Sequence, residues 1–286
     1  MTKIVLWIIA AIMAVAAILY FVFKDTAYIS FDDSEKTYEI KQRWDLPDEL
    51  EEVSGLSWIG DNRIACIQDE DGIIFIYDIS TSRVVSEYKF AGPGDYEAVA
   101  VDAKNAFVMR SDGRIFHVLN FTEDDLIVNE YQTPLDQEDV EGLALDSKNN
   151  RLLLTIKETK RADPAYKGIF SFDLDTMKMD EQPFFIINSR DSIFGTIKGR
   201  GAQKIIRPSE IEIHPITGEI YILDGFQPKL MIFNPQGDLK QIHLLDPEKF
   251  QQPEGLTFDS AGTLYISNES RRAPANILEV ELNNTN

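Results

Sequence analysis

The sequence predicts an all-β protein, a five-bladed β-propeller behind one N-terminal transmembrane helix. Three observations predict it. Beyond residue 36, apolar and β-branched residues alternate in short runs closed by Gly, Asp, Asn or Pro, as in "GIIFIYDIS", "GRIFHVLNF", "KGIFSFDLD" and "KLMIFNPQG". That is the period of strands and turns, not of helices. One phrase recurs about every 44 residues, the length of a four-stranded blade. Finally, "IVLWIIAAIMAVAAILYFVF" (4–23) carries no charge. At 1.5 Å per residue it spans about 30 Å, the hydrocarbon thickness of a bilayer.

Taken in order, residues 1–25 form the anchor. A cleaved signal peptide competes, because "AVA" (14–16) resembles a cleavage triplet, but cleavage there would leave an apolar mature terminus. Lys3 precedes the run, while Lys24 and the acidic "DDSE" (32–35) follow it. The positive-inside tendency then puts the N-terminus in the cytoplasm and the rest outside. The expected location is a bacterial plasma membrane, crossed once, with the propeller on its periplasmic or extracellular side. Residues 26–35 read as a short acidic linker, and 36–286 as the propeller.

Five phrases stack, beginning "EVSGLSW" at Glu52, "DYEAVAVD" at Asp95, "DVEGLALD" at Asp139, "RPSEIEIH" at Arg207 and "QPEGLTFD" at Gln252. Aligned on Ser54, Glu97, Glu141, Glu210 and Glu254, they are separated by 43, 44, 69 and 44 residues. The long interval is one blade plus an insert around 188–208, "NSRDSIFGTIKGRGAQKIIRP". Six blades are the alternative if that insert hides strands. The last phrase supplies three strands, "GLTFD", "TLYIS" and "NILEVEL". An open ring would expose a strand edge. The alternating run "KTYEIKQRW" (36–44) has no blade of its own, so it closes the last one.

The repeated glutamate sits where the innermost strand of a blade enters the channel. Fourteen residues on, the antiparallel second strand returns to the same rim at Gln68, Ser111, Asp224 and Asn268, and in the longer third phrase at Lys157 or Glu158. Crowded carboxylates repel and are costly to bury unpaired. A cation is one answer. All-oxygen ligands select a hard ion, Ca²⁺ first and Mg²⁺ second. The other answer is structural, each glutamate accepting backbone N–H bonds from its neighbouring blade.

Composition excludes other classes. A net charge of −20 argues against nucleic acid. The single cysteine, Cys66, permits no internal disulfide and lies in an apolar run. His117, His214 and His243 share no zinc-ligand spacing. Within the insert, Lys198, Arg200, Lys204 and Arg207 form a basic loop, read either as a solvated surface or as an anion grip near the mouth.

The stretches "LPDELEEVSGLSW", "QDEDGIIFIYD", "VEGLALD", "RPSEIEIHPITGEIYILDG" and "QPEGLTFDSAGTLYIS", behind a membrane segment, resemble the bacterial SdiA-regulated (YjiK-like) family of NHL-related propellers. The resemblance covers roughly residues 40–284. It implies a five-bladed propeller with a calcium site and no established activity. Carried onto this sequence, the metal candidates are Glu97, Glu141, Glu210 and Glu254, with Asp224 and Asn268 beside them. Ser54 breaks the pattern, and Glu52 and Gln68 are the additional candidates. The expected function is a membrane-tethered binding propeller that holds a divalent cation and recognises a protein or carbohydrate partner. The alternatives are a metal-dependent hydrolase of lactones or phosphate esters, or a structural module of an envelope complex.

Overall fold

The computed structural model describes residues 36–123, 125–135, 139–158, 163, 165–196 and 206–283. The expected anchor and linker lie outside these residues, as do Lys198, Arg200 and Lys204. Among the described residues, no helix is long and apolar enough to cross a membrane.

Among the described residues, twenty-one strands form five sheets. After β1 (Tyr38–Asp45), blade 1 comprises β2 (Val53–Gly60), β3 (Arg63–Gln68), β4 (Asp71–Asp78) and β5 (Arg83–Pro93). Blade 2 comprises β6 (Tyr96–Asp102), β7 (Asn105–Arg110), β8 (Arg114–Leu119) and β9 (Ile127–Gln132). Blade 3 comprises β10 (Asp139–Asp146), β11 (Arg151–Glu158), β12 (Tyr166–Asp173) and a split outer edge, β13 (Lys178–Met179) and β14 (Phe185–Asn188). Blade 4 comprises β15 (Pro208–Ile213), β16 (Ile220–Asp224), β17 (Lys229–Phe233) and β18 (Leu239–Leu244). Blade 5 comprises β19 (Pro253–Phe258), β20 (Leu264–Asn268) and β21 (Asn276–Leu282), with β1 as its outer strand.

Five blades are therefore present. The described part of the insert adds only the end of β14 and a 3-10 turn at Ser192–Thr196. The ring closes because β1 pairs antiparallel with β21, from Tyr38↔Leu282 to Asp45↔Asn276. Side chains reinforce the closure. The Thr37 hydroxyl lies 2.8 Å from His243 Nδ1, and the Asp246 N–H donates to the Tyr38 hydroxyl.

Burial follows position in the blade. Inner strands such as β19 and β20 are buried almost throughout, because both sheet faces meet a neighbouring blade. Outer β5 alternates between exposed and partly buried residues, since one face meets water. The apolar side chains form five clusters, one between each adjacent pair of blades. Small residues let the blades approach. A Cβ on Gly142 would meet Ile211 N at 2.8 Å and Glu210 Cα at 2.9 Å, both backbone atoms of blade 4. Gly142→Ala is expected to destabilise the fold by about 2–3 kcal/mol, because neither contact can relax without moving a strand. The urea midpoint measures this, and an unchanged midpoint would mean that blades 3 and 4 slide apart freely.

Candidate functional site at the channel mouth

Each inner strand begins with a ladder pair followed at once by a bulge. The pairs before this bulge are Val53↔Gln68, Tyr96↔Arg110, Val140↔Ile156 (after a first pair, Asp139↔Glu158), Pro208↔Asp224 and Pro253↔Asn268. The residue after each is the equivalent position of the five blades: Ser54, Glu97, Glu141, Ser209 and Glu254. This corrects the alignment expected from sequence. Blade 4 contributes Ser209, and Glu210 occupies the following position, where three other blades carry glycine. The phrase "PSE" aligns with "VSG" of blade 1 rather than shifting to match "PEG", and the shared serine was the available signal. The two serines do the same work. Ser54 Oγ donates to Tyr96 O and Ser209 Oγ to Pro253 O, each 2.8 Å into the next blade.

Glu210 is a blade clamp. It is 1% exposed, and its Oε1 accepts from Leu143 N of blade 3 (2.8 Å) and from Ile211 N (2.9 Å). The channel-side N–H groups of inner strands have no ladder partner, so side chains must satisfy them. Thr257 does this for Trp58 N, and Ser57 for Val101 N. Burial keeps the Glu210 carboxyl well above the usual carboxylate range, and its Oε2 is buried with no hydrogen-bond partner.

Asp224 and Gln68 are engaged internally. Asp224, wholly buried, accepts from Lys229 Nζ (2.7 Å) and from the N–H groups of Arg207, Phe226 and Gln227. Gln68 Oε1 caps the turn at Glu70 N and Asp71 N. Asn268 is 1% exposed. Its amide N–H donates to Asn276, and its Oδ1 has no hydrogen-bond partner.

The remaining three glutamates converge. A register shift in β11 between the partners of Asp139 and Val140 leaves Lys157 unpaired and turns it into the channel. Its Nζ lies 2.9 Å from Glu141 Oε1. Burial opposes its charge, but Glu141, Glu254 and Glu97, from blades 3, 5 and 2, together hold the ammonium above its ordinary pKa. Burial raises Glu141, and Lys157 opposes that rise. Burial, followed by the charges of Glu141 and Asp95, raises Glu97. Burial also brings Glu254 to about 7, against the pull of Lys157.

A second acidic layer continues from this ring. Burial and the nearby Glu52 carboxylate raise Asp69 to about 6. Burial, with Asp69 and Glu52, raises Glu269 to about 7, and Gln252 hydrogen bonds to it. Asp69 Oδ1 is buried without a partner. Sequence reasoning missed Asp69 and Glu269, which follow the second strands of blades 1 and 5, one residue beyond Gln68 and Asn268. Among the described residues, no three His, Cys, Asp or Glu side chains already share a metal-binding geometry. Arg207, the described member of the basic loop, pairs with Glu158 (2.7 Å) and stacks on Phe226 (4.3 Å).

The family described as SdiA-regulated matches residues 33–272 of this chain. The chain belongs to the SdiA-regulated family. No curated protein matches the sequence of this SdiA-regulated protein. Among solved structures it is similar to a glutaminyl cyclase of Myxococcus xanthus, with a TM-score of 0.61 at 11% identity, over 86% of this chain and 96% of that one. It is similar to a PQQ-bound aldose sugar dehydrogenase of Streptomyces coelicolor, with a TM-score of 0.51 at 10% identity, over 85% and 97%. A streptogramin B lyase gives 0.50 at 13% identity, over 86% and 98%. At these identities the likeness shows the propeller fold alone.

Proposed function

We propose that this SdiA-regulated propeller is a binding protein whose acidic mouth takes a hard divalent cation, calcium before magnesium. In this reading residues 4–23 tether the ring outside a bacterial plasma membrane. The supporting observation is the convergence of Glu97, Glu141 and Glu254 on the ammonium of Lys157. Burial raises the pKa of Glu97, Glu141 and Glu254, and of Asp69 and Glu269 behind them, so these carboxyls hold protons that a divalent cation would displace.

The donor chemistry fits such an ion in part. The free donors are all oxygen, and Asp69 and Asn268 each bury an oxygen without a partner. Glu141 stays with Lys157, while Asp224, Gln68 and Glu210 are held by their own hydrogen bonds. The cation would therefore fall to Glu97 and Glu254, with Glu52, Asp69 and Glu269 behind them. Exposed aromatics on the same rim suit a protein or carbohydrate partner. Phe226 lies under Arg207, and Tyr166 lies 5.4 Å under Arg190.

Thermal melts of the full chain in detergent, first in EDTA and then with calcium or magnesium, test the reading. A hundredfold excess over Kd should raise Tm by about 5–10 °C. The rise should largely vanish in the double variant Glu97→Gln, Glu254→Gln. No shift at any calcium concentration would remove the ion from this mouth.

A further inference from the structure

We infer that the cleft between the β1–β2 connection and the β20–β21 loop binds a small zwitterion, an amino acid or dipeptide with an aliphatic side chain. A cavity of about 380 Å³ opens there, on the face that carries the mouth. It sits at the low end of ligand-site volumes, the size of a dipeptide rather than a cofactor.

Its two walls carry opposite charges. Asp48 and Glu51 line one side, and Arg271 and Arg272 the other. All four are exposed, and among the described residues none of them ion-pairs across the gap. The arginines stand out in this chain. Among the described residues every other arginine except Arg83 has a carboxylate within 4.0 Å. In a protein of net charge −20, adjacent arginines with no carboxylate partner are open to a bidentate anion. Arg271 also lies in the field of Glu269, so Arg272 is the freer of the two.

The backbone of both walls is fixed. Ser270 N donates to Glu51 O (2.8 Å) and Leu46 N to Ala275 O (2.8 Å). Arg272 N donates to Gln251 Oε1 (3.2 Å). A preformed cleft spares a ligand the cost of ordering loops. Leu46, Pro47 and Pro274 supply apolar surface between the charged walls. A carboxylate on Arg271 and Arg272, an ammonium toward Glu51 and Asp48, and an aliphatic body between them satisfy all three surfaces. An adjoining narrow cleft is lined by Asn268, whose buried Oδ1 lacks a donor, and shares Ala273 with this cavity. A ligand N–H reaching that oxygen would supply the donor.

Isothermal titration of the full chain with leucine, glycyl-leucine, glycyl-leucinamide and N-acetyl-glycyl-leucine tests the inference. Glycyl-leucine should bind saturably. Loss of its carboxylate or of its ammonium should weaken binding tenfold or more. The double variant Arg271→Gln, Arg272→Gln should lose the same factor while keeping the wild-type Tm, and Arg272→Gln alone should weaken glycyl-leucine binding while leaving the calcium response, which reports on the channel separately, unchanged. Three outcomes would each overturn the inference: no saturable binding of leucine or glycyl-leucine at millimolar concentration, equal binding of the capped peptides, or undiminished binding by the arginine variant.

Discussion

In EDTA, the protein should lose stability as pH rises from about 5 to about 8, the reverse of ordinary acid denaturation. Folded Glu254 and Glu269 keep their protons to about pH 7 and Asp69 to about 6, because burial disfavours their charge. Unfolded, these groups release protons near 4.5 and 3.8. Between those values the folded state binds more protons than the unfolded chain, so stability falls with rising pH. The contribution is complete below the unfolded values and gone above the folded ones. It amounts to on the order of 3 kcal/mol for Glu254 alone. Carboxylates lowered by their partners, such as Asp112 beside Arg110, act in the opposite sense and in a lower window. Calcium should restore at pH 8 what the protons supplied at pH 5.5, and its effect should shrink as the carboxyls protonate. Urea unfolding at the two pH values, with and without calcium, measures both. Stability that is flat or rising from pH 5.5 to 8 in EDTA would show that the mouth carboxyls carry no such strain.

Lys157→Met should destabilise the protein by about 2–3 kcal/mol at pH 8. The substitution strands Glu141, which is 3% exposed, without its counter-charge, and the cost stays below that of a fully buried pair because the lysine is 30% exposed. At pH 5.5 most of the loss should disappear, since a neutral Glu141 needs no partner. The same variant should bind calcium about tenfold more tightly, because an ammonium no longer competes at the ring. Unfolding at both pH values and a calcium titration separate the two effects. Equal destabilisation at both pH values would mean that Lys157 packs rather than compensates charge.

Both predictions rest on groups that the sequence shows only in part. The glutamates Glu97, Glu141 and Glu254 were legible, because a 44-residue period brings them to one rim whatever the details of packing. Glu210 was assigned to the same ring by its letter, and the β15 bulge places it one residue off. Strand side chains alternate with period 2, so a shift of one residue turns a channel-facing carboxylate into a clamp on Leu143. Lys157 was the complementary case. It stood in the sequence as an irregular rim residue of blade 3, and only the skipped register opposite Asp139 turns it toward the glutamates. Asp224 could not be separated from a ligand by its position alone, because its lysine and three N–H donors come from β17 and two loops.

By itself, the sequence determined the architecture: strands from alternation, five blades from the repeat, and an acidic mouth from the recurring glutamate. These are properties of spacing, and spacing survives any local adjustment of the backbone. The tertiary structure alone decided which oxygens remain free. Whether a carboxylate is a donor to a cation or an acceptor from its neighbours depends on bulges and on N–H groups left unpaired at the inner strand edge. Those are set by how five sheets meet around a channel, a relation that no single repeat contains.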